Sequence, residues 1–242
     1  MKRILVTGGA GRFATNIKKY SKELGYSVIA PTKTDLDITD RSVCEKYFFN
    51  HRFDFDYVIH AAGLSSPMYR HEINPRDSIE KNIIGTSNIV LTCENFKKKI
   101  IYISTNYVYP GTDGNYNEDS ELKPFNNYGW SKLGGECAVQ HYEDSLILRI
   151  CMNARPFPHD KAFTDVISSH MFNDDAAKIT LKLLDEVGII NIGGESQTVY
   201  DFIKDYDSSI GKISVEEIND VRVNPNSSMN VDKMKELLDE KD

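Results

Sequence analysis

The sequence predicts an α/β fold, a doubly wound parallel sheet covered on both faces by helices, with a small C-terminal lobe. Three features of the 242-residue chain carry that reading: short apolar runs rich in β-branched residues, intervening stretches long enough for crossover helices, and a glycine-rich turn directly after the first run. Near-continuous apolar strands separated by helices are buried on both faces, and such crossovers are right-handed. In folds of this kind ligands bind beyond the carboxyl ends of the strands.

The first run is "RILVT" (Arg3 to Thr7), followed by "GGAGRFA". Gly8, Gly11 and Ala14 fall at G-x-x-G-x-x-A spacing before a helical pattern carrying Ile17, Tyr20 and Leu24. Glycines there permit a tight turn and let backbone N–H groups and a helix N-terminus approach a pyrophosphate. Arg12, Phe13 and Ala14 are counted with Gly8 and Gly11 as cofactor-binding; incidental turn glycines are the bland alternative.

The second run, "SVIA" (Ser27 to Ala30), leads into "PTKTDLDITD". A carboxylate after this strand suits the ribose 2′-hydroxyl of NAD, and positive charge suits the 2′-phosphate of NADP. Lys33 stands in that region and Arg12 in the glycine loop, so NADP(H) is favoured; Asp35 keeps NAD(H) open, and Lys33 reads equally as a surface lysine. Asp37 and Ile38 suit the adenine edge, with Asp40 a candidate helix N-cap.

The third run is "YVIHAA" (Tyr57 to Ala62), and a crossover helix is expected over Ile73 to Asn95. The fourth, "IIYIS" (Ile100 to Ser104), runs into Thr105, and a second helix is expected over Asn127 to Glu143. "LILRI" (Leu146 to Ile150) and "GIINI" (Gly188 to Ile192) complete the strands. Regular alternation gives way near Cys151, so residues 1–150 are expected to form the dinucleotide-binding domain and 151–242 a reduced substrate lobe with an interleaved final strand and helices. Val231, Met234, Leu237 and Leu238 recur at helical spacing in a last amphipathic helix.

Tyr128 and Lys132 lie one helical turn apart and so share a face. Together with Thr105 they form a trio suited to ketone reduction. The oxygen needs a proton donor as hydride arrives, and a phenol of ordinary pKa near ~10 is a sluggish one at neutral pH. A neighbouring ammonium is expected to lower that pKa, while the threonine hydroxyl positions the carbonyl. Lys132 would also hold the nicotinamide ribose. A Tyr-x-x-x-Lys alone is incidental more often than not; its place after a Ser-Thr strand end and a glycine loop gives it meaning.

Composition narrows the partners. Charged residues make up 27% and the net charge is −7, which disfavours nucleic acid; Lys97, Lys98 and Lys99 read as a solvated helix end. No apolar run approaches ~18 residues, so no membrane span is expected, nor is a leader sequence. Cys44, Cys93, Cys137 and Cys151 are scattered, consistent with reduced thiols in a cytoplasmic protein. His159 has no partner at ligand spacing, and no metal is expected.

The motifs "TGGAGRFA", "LDITD", "HAAG" (His60 to Gly63), "NIIGTSN" (Asn82 to Asn88), "STNYVYPG" (Ser104 to Gly111) and "YGWSKLGGE" (Tyr128 to Glu136) together resemble the extended short-chain dehydrogenases/reductases, a Rossmann-like family. Within them the chain is similar to the dTDP-4-dehydrorhamnose reductase-like sugar-nucleotide enzymes. The resemblance continues more loosely through "NIGGESQTVYDF" and "NPNSSMNVDKM". It implies catalysis by Thr105, Tyr128 and Lys132, a cofactor lined by Ala61, Ala62 and Gly63 and supported by Asn82, a nucleotide-sugar substrate met in part by Ser65 and Asn106, and a possible homodimer. Relatives that dehydrate have an acidic pair after the threonine, where this chain has Asn106 and Tyr107; epimerase-reductases have a cysteine at the position of Tyr107. Simple 4-keto reduction remains, although reductases of the rhamnose branch usually have aspartate where Asn106 stands. Beyond Cys151 the chain is shorter than the family's substrate region, and Arg155, His159 and Lys161 are candidates there for a diphosphate. The same shortening leaves open a binding-only regulatory subunit, of the kind found with methionine adenosyltransferase, and an epimerase with transient redox.

Overall fold

The structure is a computed structural model that describes residues 1–218 and 223–241. Six parallel strands form the central sheet: β1 (Arg3–Thr7), β2 (Ser27–Ile29), β3 (Tyr57–His60), β4 (Lys99–Thr105), β5 (Ser145–Ile150) and, after short strands outside this sheet, β10 (Gly188–Ile192). Their spatial order is β10-β5-β4-β3-β1-β2. Strand order therefore reverses between β1 and β3, and the crevice beyond their carboxyl ends is the expected ligand position.

Alternate residues of each strand enter opposite cores. Ile4, Val6, Ile59, Ile101, Ile103, Leu146, Leu148 and Ile150 face one apolar layer; Leu5, Val58, Ile100, Tyr102 and Ile147 face the other. A side-chain period of two with both faces buried is why these strands read as continuous apolar runs. Helix α1 (Arg12–Glu23) buries Phe13, Ala14 and Ile17 in the first layer, and α2 (Arg41–His51) buries Cys44 and Phe48 in the second. Asp40 caps α2, accepting from the amides of Ser42 and Val43.

The crossover expected as one helix from Ile73 is broken into pieces. Helices α3 (Tyr69–Ile73) and α4 (Pro75–Ser78) meet at Asn74, whose φ of −139° is not helical. Pro75 has no N–H to continue α3 and its ring sits well at the first position of α4. A π-helical turn over Ile79–Ile84 then precedes α5 (Gly85–Phe96). Helix α6 (Asn127–Val139) stops four residues short of the expected end.

Beyond Cys151 the chain divides. Helix α7 (Asn173–Lys182) packs on α1, β10 pairs with β5, and α9 (Asp232–Asp239) packs on β10 with Val231 and Met234 buried. The remainder makes the lobe. There β6 (Met152–Asn153) pairs with β9 (Met171–Phe172), β7 (Lys161–Phe163) with β12 (Gly211–Ile213), and β8 (Ile167–Ser168) with β11 (Gln197–Thr198). With α8 (Val199–Lys204) these enclose a third core of Ala162, Val166, Phe172, Phe202, Ile203 and Ile210. Among the described residues no helix is long and apolar enough to cross a membrane.

Candidate active site

The glycine loop closes against the end of β2. Gly8 has φ +73°, a left-handed conformation open to glycine, and Gly9 donates to the Pro31 carbonyl at 2.9 Å. A Cβ added at Gly9 would lie 2.0 Å from the Ala30 oxygen, whereas at Gly11 it would meet only the Gly8 oxygen at 3.1 Å. Gly9, outside the G-x-x-G-x-x-A pattern, is thus the position that most requires glycine. Gly11 caps α1 without a side-chain hydrogen bond, leaving the first-turn amides open to a ligand. The side chains of Phe13 and Ala14 point into the core, so only their backbone is left for a ligand. Arg12 is exposed.

Lys33 is exposed and its ammonium stands 3.5 Å from Asp37. Burial presses the Asp37 carboxyl upward, but hydrogen bonds from Thr39 and the charge of Lys33 hold it below its ordinary value. Asp35 turns back on its own turn, accepting from the Thr32 amide and hydroxyl. Ile38 is buried, its Cδ1 lying 2.7 Å from where a Cβ at Gly85 would be.

The end of β3 is wired to its neighbours. Thr7 Oγ1 accepts from the Ala62 amide at 3.0 Å and lies 2.8 Å from His60 Nδ1, while His60 Nε2 lies 3.1 Å from Thr86 Oγ1. Burial and the nearby Lys132 push the imidazole down to about 3, so His60 is neutral. Asn82 clamps the following loop: its Oδ1 accepts from the Leu64 amide at 2.7 Å, and its Nδ2 donates to the Leu64 carbonyl at 2.9 Å and to Ser131 Oγ at 2.8 Å. Ser131 Oγ in turn donates to the Tyr128 carbonyl. A Cβ at Gly63 would sit 2.7 Å from Asn82 Oδ1. Ala61 and Ala62 are half-buried and Gly63 and Ser65 are exposed; Ser65 lies outside the lining of the cavity described below.

Helix α6 is seated by glycine contacts and caps. A Cβ at Gly129 would be 2.3 Å from the Tyr107 oxygen, and one at Gly135 2.3 Å from Tyr102 Oη. Asn126 Oδ1 accepts from the Gly129 amide, and Glu72 of α3 accepts from both the backbone and side-chain amides of Asn127. Tyr128 is thereby held edge-on between His71 and Tyr107, at ring-centroid distances of 5.0 and 6.0 Å. Burial raises the Tyr128 phenol to about 12, with the Thr105 hydroxyl pulling the other way. Lys132 is 8% exposed and its Nζ rests 4.1 Å above the Tyr102 ring. Burial pulls Lys132 down to about 7, opposed by Glu136. The expected lowering of Tyr128 by Lys132 is therefore corrected for the free chain: desolvation dominates both groups, and the phenol stays protonated at neutral pH.

A buried ion pair missed at the level of motifs fixes this helix to the sheet. Glu136 receives Nε and Nη2 of Arg149 on β5 at 2.9–3.2 Å and the hydroxyl of Ser104 on β4. Arg149 also donates to Tyr109 Oη at 2.9 Å, and Tyr109 donates to Asn191 of β10. An arginine inside the apolar run "LILRI" was the available signal, since a buried charge needs a partner.

Between this edge and the lobe lies a cavity of about 330 Å³, lined among others by Tyr69, Glu72, Tyr107, Phe125, His159 and His170. Of the three basic candidates the structure brings only His159 there. Arg155 pairs with Asp174 and Asp175 at 3.5 and 3.6 Å and lies 3.9 Å over Phe172, and Lys161 is exposed on β7 outside the lining. Asn106, 3% exposed, donates into the lobe to Ser227 Oγ at 3.0 Å instead of lining the cavity. Among the described residues no group of three or more His, Cys, Asp or Glu could hold a metal ion.

The family model described as the RmlD substrate binding domain matches residues 1–179. The dTDP-4-dehydrorhamnose reductase of Mycolicibacterium smegmatis is 31% identical over 140 residues, 57% of this chain and 41% of that protein. Methionine adenosyltransferase 2 subunit beta of Xenopus laevis is 31% identical over 157 residues, 62% of this chain and 46% of that one. The matches thus span less than half the length of either curated relative. Among solved structures, the dTDP-4-dehydrorhamnose reductase of Bacillus anthracis in complex with NADP superposes with a TM-score of 0.85 at 22% identity, covering 97% of this chain and 92% of that one.

Proposed function

This chain belongs to the RmlD substrate binding domain family, and from that premise we propose that it reduces the 4-keto group of a nucleotide-activated 6-deoxysugar with NADPH. The reading is carried by the placement of Tyr128 and Lys132 one turn apart on α6, with the Tyr128 phenol hydrogen-bonded to the Thr105 hydroxyl at the end of β4 and Lys132 Nζ over the Tyr102 ring of the same strand. The glycine loop fits the pyrophosphate of a dinucleotide, because Gly8 and Gly9 leave no room for a Cβ and the first-turn amides of α1 are open. Exposed Arg12 and Lys33 favour the 2′-phosphate of NADP(H) over NAD(H).

When bound, the nicotinamide supplies the hydride. Tyr128 donates its phenolic proton to the sugar oxygen as negative charge develops there, and Thr105 orients the carbonyl. Lys132 holds the nicotinamide ribose, and its charge stabilises the phenolate that Tyr128 becomes. Glu136 and Asn82 act behind these groups, fixing α6 and the loop after β3. The dTDP-4-dehydrorhamnose reductase relatives support this substrate class, and the free thiols at Cys44, Cys93, Cys137 and Cys151 suit a reducing cytoplasm. A homodimer would cover the exposed Ile84, Leu91 and Trp130 of the π turn, α5 and α6.

The test is consumption of NADPH by the purified chain with dTDP-4-dehydro-6-deoxysugars. Binding of NADPH with no turnover of any such sugar would sink the proposal. It would favour instead a binding-only subunit, a reading that the similarity to the methionine adenosyltransferase subunit supports.

A further inference from the structure

A run of buried, uncharged side chains connects the carboxyl end of β4 to the wall of the cavity. Asn106 Nδ2 donates to Ser227 Oγ at 3.0 Å and, more weakly, shares a hydrogen between Ser168 Oγ and the Ser227 carbonyl, both at 3.4 Å. Ser227 Oγ donates to Ser168 Oγ at 3.1 Å. Ser168 Oγ accepts from Ser227 and is approached by Asn106 Nδ2, so the arrangement that uses every group has Ser168 donating its own proton to Cys151 Sγ, 3.0 Å away. The sulfur also receives the backbone amide of Ser169. Among the described residues the thiol proton is then left to His170 Nδ1 at 3.2 Å. Asn106, Ser168, Ser227 and Cys151 are each at most 4% exposed, so water does not compete for these bonds.

The direction of donation along the run fixes the imidazole. A ring whose Nδ1 accepts carries its proton on Nε2, provided that it is neutral. Burial supplies that condition, pushing His170 down to about 4 and Cys151 up to about 12. His170 lines the cavity together with Tyr107, the ring packed edge-on against Tyr128.

We propose that His170 is a specificity-determining residue that donates its Nε2–H to a hydroxyl or carbonyl oxygen of the bound sugar, with Cys151 as the positioning residue that fixes its tautomer. This rests on the reading of the cavity as the sugar site. A neutral donor suits an uncharged sugar oxygen, and a half-buried imidazole kept from protonation discriminates by geometry: a sugar lacking an acceptor at that point leaves the N–H unpaired.

The experiment uses the full chain labelled with ¹⁵N-histidine and reads the His170 ring nitrogens by long-range ¹H–¹⁵N correlation between pH 6 and pH 8. The expected result is a neutral ring protonated at Nε2 in the native chain and in Cys151→Ser, which retains a hydroxyl donor, and a mixture of tautomers in Cys151→Ala. A ring protonated at Nδ1, a cationic ring, or a Cys151→Ala spectrum unchanged from native overturns the proposal. In the reductase assay His170→Phe should raise KM at least tenfold with kcat within about threefold, and an unchanged KM overturns the sugar contact. A native chain that turns over no sugar refutes the proposed activity, while the tautomer measurement still decides the Cys151–His170 pair.

Discussion

Replacing Lys132 by methionine should stabilise the fold while destroying its chemistry. Burial lowers the ammonium from its ordinary 10.5 to about 7. Above pH 10.5 the lysine is neutral in folded and unfolded chains alike and costs nothing. As pH falls toward 7 the unfolded chain takes up the proton and the folded one does not, so the penalty grows by ~1.4 kcal/mol per pH unit and levels off below about 7. The gap from 10.5 to about 7 amounts to roughly 5 kcal/mol as an upper bound. Water penetration and the lost contact over Tyr102, about 1 kcal/mol, reduce the net gain of Lys132→Met to roughly 2–4 kcal/mol at pH 7. Urea unfolding followed by Trp130, the chain's one tryptophan and two residues from Lys132, measures it directly. The gain should shrink by about 1 kcal/mol per pH unit between pH 7 and pH 9. A variant less stable than native at pH 7, or a gain independent of pH, would refute the view of Lys132 as a desolvated group held for function.

Gly9→Ala drives a Cβ to 2.0 Å from the Ala30 oxygen and should abolish NADPH binding, read from reduced-nicotinamide fluorescence; native affinity would show the loop to be wrongly drawn. Asn82→Ala leaves the Leu64 amide and carbonyl unpaired in a buried site and removes one of the two partners of Ser131 Oγ, and should cost about 2–4 kcal/mol by chemical denaturation, with a loss under about 0.5 kcal/mol counting against the clamp. His60 stays neutral in the folded chain down to about 3 but charges near 6.5 when unfolded, so it drains stability as pH falls through that window. His60→Gln should remove up to ~1.4 kcal/mol per pH unit of that acid slope, and parallel slopes for variant and native would contradict the assignment.

The strand positions were legible because both faces of the sheet are buried, so that "RILVT" and "GIINI" coincide with β1 and β10. The crossover before β4 was not legible in detail: Pro75 signals a break, but the π turn carrying Asn82 depends on packing against α6. Spacing brought Tyr128 and Lys132 to one helix, yet it gave no measure of their burial, and burial reversed the expected direction of the Tyr128 pKa. Gly9, Gly129 and Gly135 carry no local signal, because their need for glycine comes from backbone and side chains distant in sequence or on other elements. Arg155 looked like a phosphate ligand by type, and only the fold reveals its two carboxylate partners. The His170–Cys151 contact joins residues 19 apart through the lobe, beyond the reach of any local pattern.

The central claim is that Tyr128 gives a proton to a ketone as NADPH is oxidised, and absorbance of the reduced nicotinamide with a dTDP-4-dehydro-6-deoxysugar tests it most directly. The native chain should consume NADPH in step with product formation. Tyr128→Phe, with its fold and NADPH affinity retained, should be slower by about 10²–10⁴-fold. Turnover by Tyr128→Phe at the native rate would contradict the account.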